Sequence, residues 1–283
     1  MIVDIHTHIF PDKIAAEVIE NLSKQSRAKY FTDGTLNGLL DSMKKFGVNK
    51  SVILPVATKT SQVEKINSFA AQMNEKFSAQ GIIYFACIHP DFENYRAELS
   101  RVKSLGLKGI KIHPVYQGVN LDDKKFLQIM YRAAELDLIV ITHAGLDIGF
   151  PGVVGCSPKM ARHVVEEIGD FKFILAHMGG WKNWDEVLTE LADKNIFMDT
   201  AFSVGKIPAR SDFIWKDEDL KLLNAEEFMK LYKVFGADKI LFGTDSPWDS
   251  PATVIDFIKN LPIPEFDKNK ILGGNAEKLG ISG

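Results

Sequence analysis

Histidine is unevenly placed along this chain. Of its seven, six (His6, His8, His89, His113, His143 and His177) fall within or at the C-terminal end of short aliphatic runs, and Asp245 closes another such run. His6 and His8 are one residue apart, so on an extended strand both rings point to one face, where they can share an ion. Zinc and similar cations accept imidazole nitrogen and carboxylate oxygen, and a catalytic site leaves one position for water. His143 and Asp245 would complete that shell, with His177 as a further ligand or the group that holds the water. A bound divalent ion brings the pKa of water toward about 7 and polarises carbonyls. Asp245 would then act as ligand and proton carrier, and His177 would orient the water or steady oxyanion charge. Lys111 and His113, two apart, share a face and offer charge and a ring to a substrate carboxylate.

Such residues meet only if the strand ends converge. Eight aliphatic or β-branched runs recur: Ile2–His6, Ser51–Pro55, Ile82–Ile88, Gly109–His113, Leu138–His143, Lys172–His177, Asn195–Thr200 and Lys239–Thr244. They are continuously apolar rather than alternating, as strands buried on both faces are. Between them lie stretches of helical period such as Ser61–Phe77, Asp123–Leu136 and Ala225–Val234, with Asp122 or Asp123 and Asn224 as caps. Strand–helix alternation repeated eight times in 283 residues predicts an α/β fold, a (β/α)₈ TIM barrel forming a single domain over residues 1–283. The rival, an open doubly wound sheet, lacks its glycine-rich phosphate loop after the first strand. Phe202–Leu223 has no regular pattern and reads as a long loop or lid, the expected source of substrate selectivity.

With 46% hydrophobic and 25% charged residues, the chain has the material for an ordinary core. A net charge of -3 and no basic stripe exclude general attraction to nucleic acid or anionic membrane, leaving a small-molecule substrate as the expected partner. The two cysteines, Cys87 and Cys156, form no framework, which points to a reducing compartment. No secretory leader and no apolar stretch of spanning length is visible, so a cytoplasmic location is expected.

The segments Val3-Asp4-Ile5-His6-Thr7-His8, Ile141-Thr142-His143-Ala144-Gly145, Leu175-Ala176-His177-Met178-Gly179-Gly180 and Phe242-Gly243-Thr244-Asp245-Ser246-Pro247-Trp248 resemble the amidohydrolase superfamily. More narrowly, they resemble its branch of amidohydrolase-related hydrolases and decarboxylases, which includes aminocarboxymuconate semialdehyde decarboxylase. Gly273-Gly274-Asn275-Ala276 is similar to that branch too, so the likeness runs from residue 2 to about residue 280. It implies one divalent metal on His6, His8, His143 and Asp245, with His177 close to the bound water. Zinc is the first candidate, with manganese, iron and cobalt also suited. Some members of the wider superfamily carry a carboxylated lysine bridging two metals, a part open to Lys111, in which case His143 and His177 would move to the second ion. Barrels of this branch often pair, which adds a homodimer to the expectations.

Both reaction types of the branch use the same ligands. The leading expectation is a metal-dependent hydrolase of a small amide, ester or lactone; the alternative is a non-oxidative decarboxylase of an unsaturated or aromatic acid. A metal-binding protein without catalysis is a third class, disfavoured by an open ligand position. Asp4 is either a carboxylate orienting a ligand histidine or the partner of a strand lysine. Trp248, with Trp181 and Trp184, follows strand ends and either walls a substrate pocket or covers core. Gly179-Gly180 permits a tight turn, His89 orders its loop, and His163 falls on a helix surface.

Overall fold

A computed structural model describes residues 1–281. The strands are β1 (Val3–Thr7), β2 (Lys50–Ile53), β3 (Ile82–Tyr84), β4 (Ala86–Cys87), β5 (Gly109–Ile112), β6 (Ile139–Thr142), β7 (Phe173–Leu175), β8 (Phe197–Asp199) and β9 (Ile240–Leu241). All neighbours pair in parallel. β3 and β4 are halves of one run interrupted at Phe85, whose N–H still donates to Ile53 O at 3.1 Å. The strands therefore fill eight positions, one for each predicted run. The ring closes where Ile5 N–H donates to Phe242 O at 3.0 Å and Thr7 bridges Ser246. The chain is a (β/α)₈ barrel.

Its helices include α1 (Asp12–Ser26), α2 (Leu36–Phe46), α3 (Val63–Phe77), α4 (Tyr95–Ser104), α5 (Pro114–Gln117), α6 (Lys124–Glu135), α7 (Pro158–Ile168), α8 (Trp184–Glu190), α9 (Ala225–Phe235) and α10 (Pro251–Lys259). Local sequence sets their ends. Asp123 accepts from Lys125 N to start α6, and Asn224 with Glu227 forms a reciprocal capping box at α9. Ser157-Pro158 and Ser250-Pro251 place a hydroxyl cap before a proline whose missing N–H costs nothing there.

Strand alternation sorts the side chains. On β5, Ile110 and Ile112 join the large apolar cluster that also takes in Phe126, Phe173 and Phe228, so Lys111 turns to the opposite face. On β6, Val140 goes to that large cluster while Ile139 and Ile141 go to a second one with Val52, Leu54, Phe85 and Ile174. Along the Ile139–Ile141 parity the next residue is His143, just past the strand end.

β1 departs from regular alternation. Asp4 pairs with Ser51 but Thr7 with Ile53, three steps against two, which marks a β-bulge. The parity that would put Asp4 and His6 on one face does not hold through it. Asp4 accepts from the Thr244 hydroxyl at 2.6 Å and from Thr244 N at 3.1 Å, latching β1 to the residues after β9.

Phe202–Leu223 is a loop, as expected, yet a packed one. Phe202, Ile207, Leu220 and Leu222 cluster with Ala28 and Trp181. Bridges Val204–Leu223 and Lys206–Lys221 zip its two limbs. Arg210 reaches Glu20 on α1 at 3.2 Å.

Candidate metal centre

The mouth of the barrel gathers residues from every part of the chain. Three acceptor atoms stand closest: His6 Nε2 to His8 Nε2 is 3.1 Å, His8 Nε2 to Asp245 Oδ1 is 3.2 Å, and His6 Nε2 to Asp245 Oδ1 is 3.4 Å. A tetrahedral ion with bonds of about 2.1 Å has ligand-to-ligand edges of about 3.4 Å. The spacing fits.

Hydrogen bonds behind the rings fix which nitrogen carries the proton. His6 Nδ1 donates to Asp199 Oδ2 at 2.9 Å, and His8 Nδ1 donates to the carbonyl of Leu54 at 2.9 Å. Both Nε2 atoms are thereby left with lone pairs facing each other and the Asp245 carboxylate. Burial holds His6 well below the ordinary histidine range, so its ring is neutral. Burial opposes ionisation of Asp245; positive charge at His6 and a proton donated by His8 would hold its carboxyl at about 2, and with both Nε2 atoms bare that charge has to come from a cation. Three acceptors converging in a partly buried place repel one another unless a cation sits among them. Lys111 Nζ lies 3.3 Å from His6 Nε2, and burial brings its ammonium down to about 8.

His143 stands elsewhere. It belongs to a second His–His–Asp group, with His113 and Asp147, all buried. Its Nε2 donates to Leu146 O at 3.1 Å and its Nδ1 is 3.0 Å from His177 Nε2. His177 Nδ1 donates to Ala201 O at 2.9 Å, so His143 Nδ1 and His177 Nε2 also face each other with lone pairs. His113 Nδ1 accepts from Tyr116 N, which leaves its Nε2 proton turned to Asp147 Oδ2 at 3.6 Å. His113 and His143 stack with ring centres 4.3 Å apart, and burial keeps both neutral. Asp147 is pushed up by burial.

The backbone at the mouth is held in uncommon conformations. His177, Met178, Phe202 and Asp245 have φ of 61°, 55°, 47° and 62°. Such left-handed non-glycine residues cost about 1–3 kcal/mol each and gather at functional sites. Gly145, with φ of 88°, is required outright, because a Cβ there would lie 2.1 Å from Trp181 N.

A cavity of about 870 Å³ opens over these groups, and His6, His8, Lys111, His113, His143, His177, Asp245 and Trp248 all line it. Trp181 lines it too, donating Nε1–H to Phe202 O, whereas Trp184 lies behind, donating to His177 O. His89 accepts from Asp91 N–H and orders its loop; His163 is exposed on α7. Two carboxylates escaped the sequence reading. Asp199 ends β8 and could have been found by the strand-end rule that singled out Asp245. It accepts from His6, His177 N and Ala201 N. Asp147 sits in a loop beyond any strand end, where sequence gives no signal.

Residues 3–279 match the protein family described as Amidohydrolase. The chain is 27% identical over 243 residues to a 2-amino-3-carboxymuconate-6-semialdehyde decarboxylase of Dictyostelium discoideum, covering 77% of this chain and 65% of that protein. It is 28% identical over 126 residues to a gamma-resorcylate decarboxylase of Polaromonas sp. (strain JS666 / ATCC BAA-500), covering 42% of this chain and 37% of that one. The matched stretches thus span less than two thirds of either relative. Among solved structures, a dihydroxybenzoic acid decarboxylase of Polaromonas sp. JS666, with bound manganese and the inhibitor 2-nitroresorcinol, superposes with a TM-score of 0.68 at 16% identity, covering 98% of this chain and 96% of that one. At that identity the likeness establishes the barrel alone. Hydrolysis, the leading expectation from sequence, is corrected by these findings: both curated relatives are decarboxylases. The ligands could not have told the two apart, because both reactions use the same set.

Proposed function

This chain belongs to the amidohydrolase family, and on that premise we propose that it is a metal-dependent, non-oxidative decarboxylase of an unsaturated or aromatic carboxylic acid. The observation that carries the reading is the convergence of His6 Nε2, His8 Nε2 and Asp245 Oδ1 at 3.1–3.4 Å beneath a cavity that also holds the buried Lys111. A divalent ion held by His6, His8 and Asp245, with the bare Nδ1 of His143 as the fourth donor, would draw in substrate oxygen and offset the charge that builds as carbon dioxide leaves. Zinc is our first choice; manganese, found in the dihydroxybenzoic acid decarboxylase, is the rival.

The chain's own groups do the rest. Lys111 meets the substrate carboxylate with its ammonium, and His113 and Trp248 flank the ring or double bond. Decarboxylation replaces the carboxyl at carbon with a proton, and Asp245 and His177 carry it. His177 is suited to this because Ala201 fixes its Nδ1 proton and leaves Nε2 toward the centre. The reading takes residues 1–283 as one working domain, cytoplasmic and paired as a homodimer.

Metal-loaded protein incubated with a panel of hydroxylated benzoic and unsaturated acids is expected to release carbon dioxide without added redox cofactor, and His6→Ala protein is not. A fully loaded protein that releases none from any acid ends the proposal.

A further inference from the structure

The long helix α3 is buried along one face and carries a separate apolar stripe along another. Val63, Asn67 and Ala70 are buried and hold it to the barrel. Ile66, Phe69, Met73 and Phe77, also spaced by three and four, line the same cavity as the metal-site residues. Phe69 is 48% exposed. Leu36, at the start of α2, lines the cavity as well. The space is thus polar at the barrel mouth and mainly apolar along α3, where Lys76 is the one charged side chain of that helix in the lining.

Its size matters. A cavity of about 150 Å³ suffices for benzene, whereas this one is about 870 Å³, near the upper end for pockets that take drug-sized ligands. A single-ring acid seated over His6, His8 and Lys111 would leave the arm along α3 open to water, with its apolar side chains wet.

We infer that the site takes an acid bearing a long apolar substituent, an alkyl chain or a second ring, which lies along Ile66, Met73 and Phe77 while the carboxyl faces Lys111. The inference rests on the acid-binding reading above and names its substrate class. Continuity of the arm with the metal-site residues selects a part of the substrate as the occupant, because anything else lodged there would block the mouth.

The test is calorimetric binding of 4-alkylbenzoates, from methyl to octyl, to metal-loaded protein. Affinity should rise about fourfold for each methylene buried, then level off when the arm is full. Met73→Trp, and independently Leu36→Trp on the neighbouring helix, should flatten the rise, while Met73→Ala should keep it; a cooperative melting transition verifies that each variant is folded. A flat series in the wild type, or an unchanged rise in both tryptophan variants, overturns the inference. Carbon dioxide release is scored separately. A chain-length rise without release from any acid supports the arm and removes the decarboxylase reading, whereas release with a flat series does the reverse.

Discussion

Two groups of the same composition, each two histidines and an aspartate, share one barrel mouth, and their proton inventories are opposite. In His6, His8 and Asp245 the ring protons are spent backwards, on Asp199 and on Leu54 O, so three lone pairs meet. In His113, His143 and Asp147 the Nε2 protons point forwards, at the Asp147 carboxylate and Leu146 O. The first group gathers three lone pairs at one point; the second leaves only His143 Nδ1 bare, against His177 Nε2. Composition alone cannot distinguish them, and the atoms behind the rings do.

The largest expected effect tests that contrast directly. Elemental analysis should find about one ion per chain in wild type, none in His6→Ala, and about one in His113→Ala. Two ions in wild type would break the comparison and promote the second group, with Lys111, to a metal site. Turnover in His6→Ala should fall by at least about a thousandfold, the scale on which removing a main source of transition-state stabilisation acts. Next in size is Asp199→Asn. Losing the carboxylate behind His6 should weaken metal affinity or activity by about 10–100-fold, as outer partners of metal ligands do. Asp147→Asn should leave metal affinity unchanged, and an equal loss there would erase the distinction. Lys111→Ala should keep its metal while KM rises about tenfold or more, the cost of one charge-assisted contact. Unchanged KM would remove Lys111 from substrate binding.

A further effect is on stability rather than turnover. Burial pushes Asp249 up to about 7, so its contribution is present below about pH 4 and lost as pH rises through 7. Asp249→Asn should therefore match wild type near pH 3 and exceed it at pH 8, by up to about 4 kcal/mol in chelator-treated protein. Parallel melting curves at both pH values would contradict this.

Much of this was legible beforehand for a physical reason. Strands buried on both faces must be apolar, so polar residues at their ends stand out, and in a barrel those ends converge. That logic reached His6, His8, His143, His177 and Asp245, and the caps Asp123 and Asn224. It could have reached Asp199. At Asp4 it offered a carboxylate behind a ligand histidine, and Asp4 does accept from His6 N–H at 3.2 Å, but it gave no sign of the latch to Thr244; it failed at the grouping of His143 with His113, because ring orientation depends on loop carbonyls such as Leu146 O that pattern does not place. The choice between hydrolysis and decarboxylation was not legible, because a ligand set records what holds an ion and not which bond breaks.

The bulge in β1 also says something about how this site could be lost. In a regular pleat one parity of β1 would serve either the latch to Thr244 or the two imidazoles. The extra residue between Asp4 and Thr7 lets five neighbouring codons serve both. Deleting one codon there, even that of Ile5, would spare every histidine and aspartate of the centre and still turn His6 away from its partners. In a lineage that suffered it, the motif would survive on paper while the enzyme was gone. Spacing on this strand is therefore as heritable a part of the active site as the residues themselves.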